Sequence, residues 1–170
     1  MQLVTPTLEH KSAFLAFYQD FTEHDANNAG YYSRGVTDFS QYISHIAAEA
    51  RGEPLAVGLV PCHHFWLFDG ENMVAAVRIR HHINTPYLQW EGGHIGYDVA
   101  PSCRNRGYGK QLLKLALVQA KLLGLEQVLL VAEASNWASR RVIETNGGKF
   151  DAEIVGHDDL TPLVRYWIST

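Results

Sequence analysis

The segment from residue 94 to residue 131 constrains the fold of this chain more than any other part. An apolar strand from His94 to Val99 is predicted first, followed by a turn rich in glycine and arginine. An amphipathic helix then runs from Gly107 to Leu123, with leucine and alanine on one face and lysine on the other. The continuous apolar run from Val128 to Val131 is typical of a strand buried on both faces. A strand, a helix and a strand in this order predict an α/β domain.

Two further helices are predicted before the central strands. Thr7 can cap a helix whose aromatic residues recur at helical spacing, and the turn-forming residues from Asn27 to Gly30 end it. Asp38 begins a second helix that reaches Ala50, and Gln41 completes a capping box three residues later. Both helices therefore carry apolar residues at helical spacing.

Strands and a last helix complete the predicted domain. The runs from Phe65 to Phe68 and from Met73 to Ile79 flank an Asp-Gly turn and predict a hairpin. A shorter helix is predicted from Asn136 to Thr145, and a final strand from Val164 to Ile168. No repeat or linker-like segment divides the chain, so we expect one α/β domain over residues 1–170. Its mixed central sheet should contain about six to seven strands, flanked by about four helices.

Composition and charge exclude several classes of protein. The chain has 170 residues and a formal net charge of −4, since fourteen lysines and arginines face eighteen acids. It therefore lacks the basic field that holds nucleic acid or an anionic membrane. The N-terminus lacks the pattern of a signal peptide, and no apolar run approaches the ~20 residues that span a bilayer. We expect a soluble, cytoplasmic protein with no nucleic-acid and no membrane partner.

Cysteine and histidine do not predict a metal site. The spacing of Cys62 and Cys103 matches neither a zinc motif nor a disulfide framework. The nine histidines include the adjacent pairs His63-His64 and His81-His82. Because adjacent side chains on a strand point to opposite faces, neither pair is suited to hold a metal together.

The loop from Val99 to Lys110 carries the clearest chemical signal in the sequence. Backbone N–H groups at a helix N-terminus are unpaired, and the helix dipole favours negative charge there. The glycines of the loop let the backbone approach an anion, and Arg104 and Arg106 can donate charge-assisted hydrogen bonds to it. Between Val99 and Leu125 the chain has five cationic residues and no acidic one. The loop therefore predicts a phosphate or pyrophosphate site.

Two common phosphate motifs do not match this loop. A Walker A loop would need glycine where Arg104 stands and serine or threonine where Gln111 stands. The dinucleotide pattern would need glycine in place of Leu112. The residues that are present, Arg104, Gly107 and Gly109, form the pattern R-x-x-G-x-G. Here the chain resembles the GNAT superfamily of N-acetyltransferases, whose pyrophosphate loop for acetyl-CoA has this pattern.

The resemblance extends to other segments of the chain. Asn136 to Gly148 resembles the family's segment beside the pantetheine arm, in which an asparagine precedes a small residue by three positions. Gly92 to Tyr97 and Arg78 to Asn84 resemble a branch of predicted bacterial-type acetyltransferases with a GGHIGY strand. The match covers about residues 73 to 150 and Arg165 to Ile168. The implied cofactor-binding residues are Val99, Arg104, Asn105, Arg106, Gly107, Tyr108, Gly109, Lys110, Asn136 and Ser139.

The resemblance also implies an activity. The family moves an acetyl group from acetyl-CoA to a primary amine, which attacks the thioester directly in a ternary complex. Backbone N–H groups near Tyr97 to Val99 would polarise the carbonyl, and no covalent enzyme intermediate would form. The acceptor would be a small-molecule amine or a peptide amino group. Dimers are common in the family, so the resemblance admits a homodimer.

The catalytic residues are less defined. Many relatives carry a tyrosine as general acid where this chain has Ile143, so Ser139, Tyr97 or a water would have to donate the proton. His94 or Glu91, near the start of the predicted strand, could accept the proton of the amine. In the family, the third strand borders the cleft that binds the acceptor. The resemblance therefore implies that this cleft is lined by Arg78, Arg80 and Asn84. An alternative function is a non-catalytic acyl-CoA-binding sensor on the same fold.

Overall fold

A computed structural model describes residues 1–53, 58–157 and 160–170. Within them, the strands are β1 (Gln2–Val4), β2 (Cys62–Asp69), β3 (Asn72–Arg80), β4 (Ile95–Val99), β5 (Gln127–Glu133), β6 (Lys149–Val155) and β7 (Pro162–Ser169). The α-helices are α1 (Lys11–His24), α2 (Ala26–Ala29), α3 (Ser33–Thr37), α4 (Phe39–Arg51), α5 (Tyr108–Leu122) and α6 (Trp137–Thr145).

The seven strands form two antiparallel sheets. The first has the order β1-β2-β3-β4, and the second has the order β5-β7-β6. The α/β class and the number of strands are confirmed. The sequence pattern did not reveal that β4 and β5, which are consecutive strands along the chain, belong to different sheets.

Most of the predicted elements are confirmed, and the exceptions have local causes. The Oδ1 of Asp38 accepts the N–H of Gln41 (2.9 Å) and caps α4 as predicted. The chain does not simply turn after α1: it continues through the short helices α2 and α3, joined by a 3-10 turn from Gly30 to Tyr32. The sequence pattern did not predict β1, which has only three residues, or β6, whose side chains are mostly exposed.

Two apolar cores occupy opposite faces of the first sheet. From Ala75 onward, the core against α5 and α6 takes the odd-numbered residues of β3 and β4, such as Val77, Ile79 and Ile95. The core under the N-terminal helices is aromatic, with Phe14 stacked on Trp66. Because side chains alternate along a strand, the even-numbered residues of β3 face the N-terminal helices. That face carries the arginines of β3.

The hydrogen-bonding pattern leaves one edge of β4 turned away from β3. Arg80 N–H donates to the carbonyl of His94 (2.9 Å), and Ala100 N–H donates to the carbonyl of Val74 (3.0 Å). In an antiparallel pair such bonded positions alternate with non-bonded ones. The N–H and C=O groups of Ile95, Tyr97 and Val99 therefore point away from β3, toward β5.

The start of β4 is fixed tightly to β5. His94 N–H donates to the carbonyl of Leu129 (2.7 Å), and Leu129 N–H donates to Nδ1 of His94 (2.9 Å). The preceding residue, Gly93, has a φ of 61°, and a Cβ there would lie 2.6 Å from the Leu129 carbonyl oxygen. Only glycine fits this close approach. Beyond this contact β4 is paired with β3 and β5 with β7, and among the described residues no strand pairing joins β4 to β5; we call the space between these two strands the cleft.

Candidate active site

The loop after β4 leads into a helix N-terminus with free N–H groups. The first hydrogen bond of α5 runs from Gln111 N–H to the carbonyl of Gly107 (3.1 Å), so the three N–H groups before Gln111 have no partner within the helix. Gly107 has a φ of 84°, and a Cβ there would meet no atom within 4 Å. The glycine is needed for its backbone conformation, which aims the N-terminus of α5 at the cleft.

The arginines of this loop differ in what they contact. Arg104 forms an ion pair with Asp25, and its Nε donates to the carbonyl of Val99 (3.2 Å). The hydrogen bond from Arg104 is the main reason why the pKa of Asp25 is lowered. Arg104 thus ties the loop to the residue after α1, whereas Arg106 and Lys110, which are exposed like Arg104, form no ion pair with another described residue. The contact of Arg104 with a cofactor stays a prediction.

Helix α6 packs closely against the first turn of α5. A Cβ on Gly109 would lie 3.3 Å from Cγ2 of Val142 in α6 and 3.5 Å from Cγ2 of Val99 in β4. Asn146 also donates its side-chain amide to the carbonyl of Lys110 (3.3 Å). The second glycine of the motif therefore serves close packing of α5, α6 and β4, which fixes the helix N-terminus beside the cleft.

Backbone groups line both walls of the cleft. On β5, Ala134 N–H donates to the carbonyl of Pro162, so the bonded positions facing β7 are even-numbered. The N–H and C=O groups of Val131 and Glu133 consequently point toward β4, opposite those of Tyr97 and Val99. The carbonyl of Val99 already accepts from Arg104. The cleft thus presents backbone donors and acceptors from two strands.

Two of the predicted catalytic residues meet between β4 and α6. The hydroxyls of Tyr97 and Ser139 lie 3.0 Å apart, and the Tyr97 hydroxyl is also 3.3 Å from the Ser139 carbonyl. Burial raises the pKa of Tyr97 to about 12, so the phenol is protonated at neutral pH. The side-chain oxygen of Asn136 accepts from Ser139 N–H (3.0 Å) and caps α6, which leaves the amide nitrogen of Asn136 to bind a ligand.

Position 143, at which the resemblance places the general acid, is inaccessible to a ligand in this chain. Ile143 is 1% exposed and belongs to the core between α6 and the sheets. A Cβ on Gly148 would lie 2.5 Å from the Ile143 Cγ2, so the neighbouring turn covers this side chain. A proton donor would therefore have to be another residue or a water.

His94 has contacts that are unfavourable for a general base. Its side chain is 7% exposed, its Nδ1 accepts from Leu129 N–H, and burial lowers its pKa to about 4. Since Nδ1 is an acceptor, the proton of the neutral ring is on Nε2. Glu91 lies three residues earlier, half-buried in a turn of π-helix from Leu88 to Gly92. Both base assignments stay predictions.

A cavity of about 470 Å³ opens on the other face of the first sheet, between the sheet and the N-terminal helices. Arg78 and Arg80 line it as predicted, whereas Asn84 does not. The remaining ionisable groups and aromatic rings of the lining come from segments that the sequence did not connect with the site: Tyr31, Tyr32, Arg34, Tyr42, His45, Glu49, His64, Trp66 and Tyr87. Their spacing along the chain carries no motif.

Ion pairs and hydrogen bonds order the wall of the cavity. Arg78 donates to the Oδ2 of Asp98 in β4 (3.0 Å), and the buried hydroxyl of Tyr32 donates to the same oxygen (2.7 Å). Nε2 of His64 lies 2.9 Å from Oε2 of Glu49. Burial alone would raise the pKa of Glu49, but the hydrogen bond with His64 and nearby positive charges lower it.

Two further histidines, His63 and His81, contact each other outside the cavity. Nδ1 of His63 lies 2.7 Å from Nε2 of His81, and burial lowers the pKa of both rings. Within the described ranges, no group of three or more histidine, cysteine, aspartate or glutamate side chains is placed to hold a metal ion. None of the described helices has the length and apolar character needed to cross a membrane.

Comparison with known protein families identifies the fold. Residues 1–149 match the family model of the acetyltransferase (GNAT) domain. The chain belongs to the GNAT acetyltransferase family. The resemblance found in the loop and helix segments is therefore confirmed, and the match extends to the N-terminal helices.

Solved GNAT structures share this fold at low sequence identity. Mycobacterium smegmatis RimJ in complex with CoA-disulfide is 18% identical, with a TM-score of 0.72 over 99% of this chain and 81% of that one. A ribosomal-protein-alanine N-acetyltransferase from Brucella melitensis is 16% identical, with a TM-score of 0.65 over 100% of both chains. The acetyltransferase yncA from Salmonella typhimurium, with acetyl-CoA, is 13% identical, with a TM-score of 0.61 over 99% and 92%. None of the curated protein sequences is significantly similar to this chain.

Proposed function

We propose that this GNAT protein transfers an acetyl group from acetyl-CoA to a primary amine, which attacks the thioester directly in a ternary complex. The observation that carries the proposal is the meeting of three features at β4: the free N-terminus of α5, the cleft toward β5, and the cavity on the opposite face. Two of the solved GNAT structures above contain CoA-disulfide or acetyl-CoA, which supports the choice of donor.

The residues of the cleft suit the parts of CoA. The free N–H groups of Tyr108, Gly109 and Lys110 would bind the pyrophosphate, with Arg106 adding positive charge. The pantetheine arm carries two amides, so it can bond to strand edges as an added strand does. The groups of Tyr97 and Val99 on one wall and of Val131 on the other would receive those amides. The tight contact at His94 and Leu129 closes the inner end of the cleft.

Tyr97 and Ser139 fit the role of proton donor. When the amine nitrogen bonds to the acetyl carbon, the carbon–sulfur bond breaks and the sulfur needs a proton. Tyr97 is protonated at neutral pH and lies between β4 and α6, where the arm would end. Backbone N–H groups of β4 would stabilise the negative charge on the carbonyl oxygen. Cys62 takes no part, since burial raises its pKa to about 11 and leaves its thiol protonated.

Glu91 is the base that the geometry favours over His94. The lone pair of His94 Nδ1 is already used by Leu129, whereas the Glu91 carboxylate lies at the entry to β4 without being fully buried. We propose that Glu91 accepts the ammonium proton of the acceptor, directly or through water. The acceptor nitrogen loses two protons in all: Glu91 takes the first from the ammonium, and the second leaves as the amide forms and replaces the proton that Tyr97 gives to the sulfur. Acetyl transfer from an ammonium therefore releases one proton in net, through Glu91.

Turnover tests the proposed function. Incubation with acetyl-CoA and a panel of primary amines should release free thiol, and the acetylated amine should appear in equal amount by mass spectrometry. The double variant Arg104→Ala, Gly109→Val should lose affinity for CoA, because the loop is released from α1 and α5 is pushed away from α6. Arg51→Ala removes an exposed arginine at the end of α4 and serves as control.

The buried Ile143 favours one competing function, a non-catalytic sensor of acyl-CoA. Tight binding of acetyl-CoA without thiol release on a broad amine panel would support the sensor and contradict the transferase. Unchanged CoA affinity in the double variant would contradict the placement of CoA at α5.

A further inference from the structure

The cavity on the face of the N-terminal helices is more positive than the chain as a whole. Its lining contains three arginines, Arg34, Arg78 and Arg80, and one carboxylate, Glu49, whereas the whole chain has a net charge of −4. Arg78 is neutralised by Asp98, and Glu49 is paired with His64. With Asp98 included, three arginines stand against two carboxylates, and the charge of Arg34 acts on Glu49, so one positive charge, that of Arg80, is left in excess.

Arg80 is held in place without an acidic partner. Its Nη1 donates to the carbonyls of Gly92 and Gly93, both at 3.0 Å. Among the described residues, no carboxylate forms an ion pair with its guanidinium. Burial lowers the pKa of Arg80, but an arginine keeps its charge at neutral pH. A half-buried cation that is oriented only by carbonyl groups retains N–H donors and charge for an anionic ligand.

The position of Arg80 places this charge near the inner part of β4. Arg80 pairs with His94, and Arg78 pairs with Gly96 at the next position on the same face. A Cβ on Gly96 would lie 3.3 Å from Nη2 of Arg78, so the absence of a side chain there makes room for the Arg78 guanidinium, which covers β4 at this position. The same strand face therefore brings the guanidinium groups of Arg78 and Arg80 to the side of β4 that borders the cavity.

We infer that the cavity holds the acceptor by a carboxylate bound to Arg80, so that the acceptor is a free amino acid or another small amine that carries a carboxylate. The inference rests on the proposed function, because it names the substrate class of the same site. The volume of about 470 Å³ lies within the range of small-ligand pockets, roughly 300–1,000 Å³.

The same positive charge would assist the amine. A cation near an ammonium group lowers the pKa of that ammonium, which enriches the neutral form that attacks the thioester. It also disfavours a second positive charge on the acceptor, so polyamines should be poor substrates. Peptide amino groups, which lack an adjacent carboxylate, would not use Arg80.

Matched acceptors test the inference. Alanine is compared with alaninamide and ethylamine, phenylalanine with phenylalaninamide and phenethylamine, and spermidine serves as the polycationic probe. The readouts are kcat/KM from thiol release and Kd by calorimetry on the CoA-bound protein. We expect at least one free acid to exceed its amide by about 10–100-fold, the range of a charge-assisted hydrogen bond. This order opposes intrinsic reactivity, because the amide has the lower amine pKa, about 8.

Variants locate the carboxylate site. Arg80→Gln should remove the preference for acid over amide, and Arg80→Lys should restore part of it, because the charge returns. Arg34→Gln should reduce the preference without disturbing the fold, since Arg34 is exposed, and it keeps the test valid if Arg80→Gln does not fold. Arg51→Gln removes an exposed arginine outside the cavity and should leave both the activity and the preference unchanged.

The outcomes separate this inference from the proposed function. Turnover that favours amides, simple amines or spermidine over free acids would overturn the carboxylate site while leaving the transferase intact. A preference for free acids over their amides that remains in both Arg80→Gln and Arg34→Gln would also overturn the carboxylate site and leave the transferase intact. If no amine is acetylated but free acids bind the CoA-bound protein more tightly than their amides through Arg80, the carboxylate site stands and the transferase fails. No turnover and no difference in binding would overturn both.

Discussion

His94 connects the stability of the fold to pH, and replacing it by asparagine isolates that effect. The Oδ1 of asparagine can take the position of Nδ1 and accept the Leu129 N–H, but asparagine does not titrate. In the folded chain, burial lowers the pKa of His94 to about 4 from its ordinary 6.5. At ~1.4 kcal/mol for each pH unit, the difference corresponds to about 3 kcal/mol in the free energy of unfolding.

The sign of the effect follows from proton binding. Between pH 6.5 and pH 4 the unfolded chain binds a proton at His94 that the folded chain does not bind, so acid favours unfolding. The stability is complete above pH 6.5, falls toward pH 4 and changes little below it. Wild type and His94→Asn should both lose stability in acid through other groups. The wild type should lose about 3 kcal/mol more.

Urea unfolding of the two proteins at several pH values between 7 and 4 measures this difference. If the free energies of unfolding of wild type and His94→Asn differ by the same amount at every pH in that range, the reasoning is refuted. Such a result would mean that His94 has the same pKa in the folded and the unfolded chain. His94→Leu is a useful second variant, since it leaves the Leu129 N–H without an acceptor at a pH-independent cost of about 1–3 kcal/mol. The kcat/KM of His94→Asn separates this role from catalysis, because loss of a general base would cost about 100-fold or more.

Three further predictions concern the cleft. Gly93→Ala should lower the free energy of unfolding, measured with urea, by roughly 2–3 kcal/mol, because φ is positive at this position and the new Cβ would meet the Leu129 carbonyl. A variant as stable as the wild type would contradict the packing of β4 on β5. Tyr97→Phe should lower kcat about 100-fold with an unchanged Kd for CoA, and an unchanged kcat would remove Tyr97 as the acid. Glu91→Gln should flatten the rise of kcat/KM with pH, and a profile like that of the wild type would eliminate Glu91 as the base.

Local features of the chain were predictable because their signals lie close together in the sequence. The strand, the turn and α5 occupy consecutive residues, and the caps of α4 and α6 use side chains three positions from the N–H groups they accept. The residues of the R-x-x-G-x-G motif also lie within six consecutive positions, so the motif could be recognised in the sequence. What each glycine does was not predictable, since Gly109 is set by contact with Val142, which lies on another helix.

The cavity was not predictable, because distant segments form it. Tyr32 and Asp98 are 66 positions apart, and Glu49 reaches His64 from a different element. Arg78 and Arg80 could be placed on one strand face by their spacing, but their difference in partners depends on tertiary contacts. The division into two sheets was hidden for a similar reason: an apolar run such as β5 has the same pattern in one continuous sheet or in two.

The central claim is that CoA lies between the N-terminus of α5 and the open edge of β4. Titration of the ¹⁵N-labelled protein with CoA, followed by NMR, tests it most directly. We expect the N–H signals of Tyr97 and Val99 on β4 and of Tyr108, Gly109 and Lys110 on α5 to shift together. Pantetheine, which lacks the pyrophosphate, should shift the β4 signals and leave those of α5 in place. Shifts confined to other surfaces, with both groups unchanged at saturating CoA, would contradict the account.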